Sequence, residues 1–458
     1  MDSILNLIQQ IVSVPAILVG IIACLGLFLQ KSKIEVVVKG TIKTILGFLL
    51  ISAGAGIVSG TLKGFGDLFQ LSFNVMGVVP NSDAMAAMMM EQFGTATASI
   101  MALGLVANII LARFSKLKYI FLTGHICLYF AAIIAATLTF AGLEGIPLII
   151  CGAMLLGLIM VVLPAIVQPI MRNITGSDDI ALGHSGTIAY WLAAKVGKVF
   201  AKNKRSTEEI NFPKTLSFMR DSSIAISLIM FILYLIVCFS AVISHIGEAS
   251  EIIGNQHWIL YSLIQSIGFA AGVYVILAGV RLVLAEIVPA FKGISEKIVP
   301  NAKPAIDCPV VFPFAPNAVL IGFISSFIGC LVGLGGIVVL NNFSLSLAWI
   351  LPGIVPQFFT GATAGIFGNA EGGIKGCVAG AFINGFVSTI LAALLMPMFI
   401  SFGYSNITFG DSDFNAVSLI FINLANTVGS FGMIIFITIL FFIPIIYNIT
   451  TNLNTVKK

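Results

Sequence analysis

Eleven apolar runs, each near the length of a membrane-crossing helix, divide this chain and leave mostly short polar breaks between them. They fall at roughly residues 11–29, 44–60, 98–112, 119–140, 146–167, 223–246, 258–284, 318–340, 350–367, 376–400 and 417–447. A helix needs about 20 predominantly apolar residues to cross the hydrocarbon core, so the pattern predicts an all-α polytopic membrane protein. Charge excludes a soluble fold. Asp, Glu, Lys and Arg make up 9% of the 458 residues, against about 25% in soluble domains.

Basic loops stay cytoplasmic. With the N-terminus outside, the cytoplasmic breaks receive Lys31 to Lys43, Arg113 to Lys118, Arg172 to Arg220, Arg281 to Lys303, Lys375 and Lys457-Lys458. That leaves Lys63 alone of the 23 basic residues on the outer side, while Glu144, Glu248, Glu251, Asp411 and Asp413 fall in outer breaks. The C-terminus is then cytoplasmic, and the net charge of +4 reports topology rather than nucleic-acid binding. No basic residue precedes Ile21-Ile22-Ala23-Cys24, so the first run reads as an uncleaved helix instead of a secretory signal. The seven cysteines show no CxxC spacing and read as small buried hydrophobes, without a metal site or disulfide framework. Walker A and HExxH patterns are absent as well, so ATP hydrolysis and zinc proteolysis have no support in the sequence.

The tetrapeptide Val78-Val79-Pro80-Asn81 returns as Ile298-Val299-Pro300-Asn301, 220 residues later. Gly47-Phe48 is matched by Gly268-Phe269, Phe93 by Phe314, and Phe121-Leu122-Thr123-Gly124 by Phe358-Phe359-Thr360-Gly361. Each match is short enough to be coincidence in a Gly/Phe/Val-rich chain; their shared order favours a duplication. Five spans per copy place the second copy upside down, the inverted-repeat arrangement of carriers that alternate access to a solute. The expected organisation is residues 1–167 as the first repeat, 168–222 as a cytoplasmic or interfacial segment, 223–400 as the inverted repeat, and 401–458 as an additional span. Residues 61–97, broken at Pro80 to Asp83, and residues 286–317, with six prolines, read as re-entrant hairpins, since a proline-rich run cannot be one regular helix. In the central segment Lys195, Lys198, Lys202 and Arg205 recur at helical spacing opposite Trp191, Leu192, Val196, Val199 and Phe200. That pattern fits an amphipathic helix lying on lipid headgroups, or an ordinary solvated helix.

Ionisable groups within membrane segments are costly and therefore candidates for function. His125 lies near the cytoplasmic end of the fourth span, where the competing reading is a histidine that satisfies a backbone carbonyl. His184 follows a polar re-entry after the fifth span, and Asp307 sits within Pro304-Ala305-Ile306-Asp307-Cys308-Pro309. A carboxylate and imidazoles around a polar cavity suit a polyhydroxylated solute. Asn301, Asn317, Gln168, Gln357 and Asn369 add neutral donors and acceptors near the same breaks. Asp178-Asp179 has no second acidic cluster facing it and reads as a loop or cap feature.

The stretches Lys39 to Phe48, Leu122-Thr123-Gly124-His125, Ala278-Gly279-Val280-Arg281 with Ala285-Glu286, Ala305-Ile306-Asp307-Cys308, and Phe314-Ala315-Pro316-Asn317-Ala318-Val319 together resemble the membrane IIC component of the bacterial L-ascorbate phosphotransferase system. The resemblance implies a homodimer in the bacterial cell membrane, with a scaffold and a mobile core that carries sugar by an elevator-like motion. It implies a permease without catalytic activity or cofactor of its own, served by cytoplasmic IIA and IIB proteins that relay phosphate to the emerging sugar. The sugar contacts it implies are His125, His184 and Asp307, with the hairpin tip Ser82, Asp83, Ala84 and Met85. The chain departs from the ascorbate pattern at Tyr129 and Ser185, where glutamines are expected, and lacks a Thr-Tyr pair near the tip. The substrate thus stays open between L-ascorbate, another acidic sugar, a pentose and a polyol. An ion-coupled secondary transporter of a small polar solute is the alternative reading. On the topology above, single cysteines in a cysteine-free background are expected to be labelled from outside near Glu248 and only after permeabilisation near Lys204. The reverse pattern would overturn both the span count and the inversion.

Overall fold

A computed structural model describes residues 15–456, apart from residues 30, 75–76, 203, 211–221, 255 and 344. Residues 11–14 of the first expected span, Arg220 and the terminal Lys457-Lys458 lie outside the described residues. The chain is helical with short strands in the breaks, in the order α1 (Pro15–Leu29), α2 (Ile34–Phe73), β1 (Gly77–Pro80), α3 (Ser82–Phe114), β2 (Tyr119–Phe121), α4 (Gly124–Phe140) and α5 (Gly145–Thr175). There follow β3 (Ala181–Leu182), α6 (Thr187–Val199), α7 (Ser222–Ser244), α8 (Ile246–Ile253), α9 (Trp258–Ile298), β4 (Lys303–Ile306) and α10 (Pro316–Asn341). The chain ends with β5 (Trp349–Ile350), α11 (Ala362–Ser401), β6 (Ile407–Thr408) and α12 (Ser412–Val456).

Among the described residues, seven helical segments are long and apolar enough to cross a membrane, and Gly124–Phe140 and Met230–Ser244 are shorter apolar helices. Their outward faces carry the apolar side chains that a soluble protein would bury: Ile232, Ile236, Phe239 and Ile243 of α7 are each more than half exposed. Two bundles result. In one, α2 and α9 pack along each other with α1 and α7; in the other, α11 packs on α10 and α6, beside α3, α4, α5 and α12.

The apolar runs join in two places where the sequence suggested separate elements, a hairpin and a span in the first and two spans in the second. The expected third span is the second half of α3, which continues unbroken from Ser82 because no proline interrupts residues 82–114. The ninth and tenth expected spans form one run, Gln357–Ser401, bent at Gly373 (φ +61°). Only glycine is at ease in that left-handed conformation, and it brings the Ile374 N–H to the Arg205 carbonyl (2.8 Å).

The proline-rich run after α9 forms β4 and a 3-10 helix, Cys308–Phe314, instead of a regular helix. The amphipathic segment is α6, but its packed face is not the bulky one. Tyr190, Ala193, Ala194 and Gly197 are buried, while Trp191 and Val199 point outward. The small residues win because Gly197 can approach Gly368, Gly372 and Gly376 at backbone distance.

Two three-stranded parallel sheets occupy the breaks. In one, β1 lies between β5 and β6; in the other, β4 lies between β2 and β3. Asn108 of α3 clamps β2, its Nδ2 donating to the Tyr119 carbonyl and its Oδ1 accepting from the Phe121 N–H, each at 3.1 Å. Asn108→Leu removes both bonds and is expected to destabilise the detergent-purified protein by about 1–3 kcal/mol, read as a lower melting temperature. An unchanged melting temperature would show that the clamp carries no stability.

Candidate functional site

Each strand end hands a side chain to one cavity. Ser82 and Asp83 open α3 just after β1, with Asn81 Oδ1 accepting the Ala84 N–H (2.9 Å) and so setting the helix start. His125 follows β2 at the first turn of α4, His184 follows β3, and Asp307 follows β4 directly, its Oδ1 accepting the Cys308 N–H at 2.7 Å. The cavity they share measures about 400 Å³ and is lined by Ser82, Asp83, His125, Tyr129, His184 and Asp307 together with Arg281, Asp411, Ile126, Pro309, Val355, Pro356 and Phe359. That volume is within the range of small-molecule sites, about 300–1,000 Å³.

Asp307 sits between two imidazoles, His125 Nε2 at 3.5 Å from Oδ2 and His184 Nε2 at 3.7 Å from Oδ1. Both separations exceed a good direct hydrogen bond, so the facing edges remain available to a ligand. The far nitrogen of His184, Nδ1, is fixed by the Tyr190 hydroxyl at 2.7 Å. Tyr129 donates to Asp83 Oδ1 (2.7 Å) and its ring lies edge-on to His125. His184, Asp307 and Cys308 bring possible ligand atoms within 4.8 Å of one another; of the three only Asp307 is not buried.

The sequence-predicted residues divide accordingly. Ser82, Asp83, His125, Tyr129, His184 and Asp307 meet; Ala84 and Met85 are wholly buried and stand outside the lining. Ser185 lies one layer back and donates to Asp411. The neutral polar residues of the breaks do not reach the cavity. Gln168 binds Asp178 (2.9 Å), Asn317 binds the carbonyls of Thr207 and Ile210, Asn369 accepts from Thr207, and Gln357 joins Ser326 and Asn384. Asp178 is a structural tie, held by Arg172 Nε at 2.6 Å and by Lys303. The Arg172 guanidinium first, then Lys303 and Gln168, hold its carboxyl well below the usual carboxylate range.

A family model described as the phosphotransferase system (PTS) sugar-specific permease component, EIIC-GAT, matches residues 10–413. The chain belongs to that family. It is 26% identical over 431 residues to the ascorbate-specific PTS system EIIC component of Mycoplasma pneumoniae. The match takes in 83% of this chain and 65% of that protein, so the chain spans somewhat less than two thirds of the relative's length. Membership, together with the long apolar helices, makes this a multi-pass membrane protein.

Asp411 and Asp413 are the residues most misplaced by sequence reasoning. Charge counting puts them in a solvated outer loop; the structure buries both. Asp411 lines the cavity and accepts from Ser82 (3.2 Å) and Ser185. Asp413 caps α6 from another helix, its carboxylate accepting the N–H groups of Thr187 (2.7 Å) and Ile188 (2.9 Å), where a helix start has unpaired donors. The available signal was an Asp-Ser-Asp run directly after a short β-prone stretch, at the opening of a long apolar helix. Asp413→Ala is expected to cost about 0.5–2 kcal/mol, the range for loss of a helix cap, and to speed amide exchange in residues 187–190. Unaltered exchange there would remove the capping role.

Proposed function

We propose that this chain is the translocation subunit of a phosphotransferase system, carrying L-ascorbate or a related acidic sugar, pentose or polyol to a separate IIB protein that phosphorylates it on emergence. The convergence of His125, His184, Asp307, Asp83, Asp411 and Tyr129 on one small-molecule cavity carries this reading. Hydroxyls meet acceptors and imidazole edges there, and a ligand lacking them leaves buried polar groups unpaired. The printed name of the relative supplies ascorbate as the first candidate. The hydrogen bonds of Tyr129 to Asp83 and of Ser185 to Asp411 lie at the positions that depart from the ascorbate pattern, which argues for testing neutral polyols beside it.

Two helical bundles contribute to the cavity, Arg281 from α9 and the other charged groups from the α3–α5 and α10–α12 side. That division supports an elevator-type alternation of access in a homodimer of inverted repeats. Crosswise strand pairing supports the repeat as well. The strand that holds the Val-Pro of the first Val-Pro-Asn copy lies beside the one preceding Phe358-Phe359-Thr360-Gly361, and the strand after the second copy beside the one leading into Thr123-Gly124. Concentrative uptake requires the partner kinase, because alternation alone only equilibrates solute across the membrane.

Vesicles holding the protein alone are expected to exchange radiolabelled solute without accumulating it, and added IIA, IIB and phosphoenolpyruvate to trap it as the phosphate ester. His125→Ala and Asp307→Asn are each expected to weaken solute binding about 5- to 150-fold, as for loss of one hydrogen bond of about 1–3 kcal/mol. Accumulation driven by a proton or sodium gradient without the partners would replace this function with secondary transport. Normal binding by both variants would remove the site.

A further inference from the structure

Arg281, midway along α9, is the guanidinium that lines the cavity, with its side chain exposed. Sequence reasoning counted it as a cytoplasmic basic residue and as part of the Ala278-Gly279-Val280-Arg281 stretch, without a role in the site. Among the described residues, every carboxylate lining the cavity is already engaged. Asp83 accepts from Tyr129, Asp411 from Ser82 and Ser185, and Asp307 from the Cys308 N–H between its two histidines. Arg281 takes part in none of the ion pairs found among the described residues.

An exposed cation on a cavity wall without an ion-pair partner is open to a ligand, and ionisable positions within membrane segments mark ligand paths. The planar guanidinium fork matches the paired oxygens of a carboxylate or phosphoryl group better than it matches a lone hydroxyl. The two walls also differ in chemistry. Hydroxyl acceptors come from the strand ends, and the free cation comes from α9.

We propose that Arg281 is a specificity-determining residue that grips an anionic oxygen group on the ligand. This rests on the permease reading above. Two sources can supply that group: the acid function of the sugar itself, or the phosphoryl group once the ester has formed. In either case the ligand lies with its hydroxyls toward Asp307 and its anion toward α9.

The test uses purified full-length protein and three probes in calorimetric titration: L-ascorbate, neutral galactitol and galactitol 1-phosphate. Arg281→Gln is expected to weaken at least one anionic probe about 10- to 100-fold, the effect of losing a hydrogen bond to a charged group, and to leave galactitol unchanged. Arg281→Lys, which keeps the charge without the fork, is expected to fall between wild type and R281Q. A loss for ascorbate assigns the anion to the sugar, and a loss for the phosphate ester alone assigns it to the product. Wild type binding neither anion, R281Q binding both as wild type does, or R281Q losing galactitol equally each overturns the proposal. A selective anion loss in a protein whose uptake ignores phosphoenolpyruvate would leave Arg281 in this role and remove the phosphotransferase reading.

Discussion

A helix interrupted inside an apolar surrounding frees backbone N–H and C=O groups that water cannot reach, and each must find a partner within the protein. The two small parallel sheets answer that need. Pro80 ends β1 and has no N–H to give, yet Val79 still donates to the Asn406 carbonyl and Asn81 to the Thr408 carbonyl, each at 2.9 Å. In the other sheet Leu122 donates to the Ala305 carbonyl (2.9 Å) and Gly183 to the Ile306 carbonyl (2.8 Å). Breaks hundreds of residues apart therefore have to meet, because each supplies what the other lacks.

The chemistry of the cavity follows from that meeting. Parallel pairing points neighbouring strands the same way, so their C-terminal ends lie together. The residues that follow those ends are the ones that face the cavity: Ser82 and Asp83 after β1, His125 after β2, His184 after β3, Asp307 after β4, Val355 and Pro356 after β5, Asp411 after β6. Polar side chains are tolerated there because the same irregular backbone satisfies them, as the Cys308 N–H does for Asp307 and the Gly410 N–H (3.1 Å) does for Ser82. Cavity and sheets are one solution to one desolvation problem.

Local chemistry made part of this legible in the sequence. Prolines and the Val-Pro-Asn pair marked where helices had to stop, and His125, His184 and Asp307 stood out as ionisable groups beside those stops. What was illegible depends on partners distant in the chain. Asp411 and Asp413 look solvated until the start of α12 docks on the β3–α6 connection, where the Asp413 N–H donates to the Ser185 carbonyl (2.9 Å). Which face of α6 packs on the protein is not legible either, because Ala193 and Gly197 fit against the glycines of α11 while the bulkier Trp191 and Val199 stay outward. Gln168, Asn317 and Gln357 resemble cavity residues by composition, but each closes a local backbone or side-chain shortfall of its own. A polar residue near a break has two possible employers, and only tertiary geometry separates them.

The cavity is chemically lopsided, and the lopsidedness bears on how a carrier could release its cargo. Asp83, Asp307, Asp411 and the two histidines ride on elements packed with α3, α5, α10 and α11, whereas Arg281 belongs to α9 and its partner α2. In the proposed alternating-access cycle, contacts made by the first group would travel with the ligand, and the proposed contact with Arg281 would exist only while α9 lies alongside. On that proposal a neutral solute would be held about equally throughout the stroke. An anionic one would be held most firmly in the state that brings the two bundles together at Arg281, since a ligand shifts an equilibrium only through its different affinities for the two states. Adding a phosphoryl group to the sugar would therefore change which state the carrier favours, as well as whether the product still fits among the carboxylates.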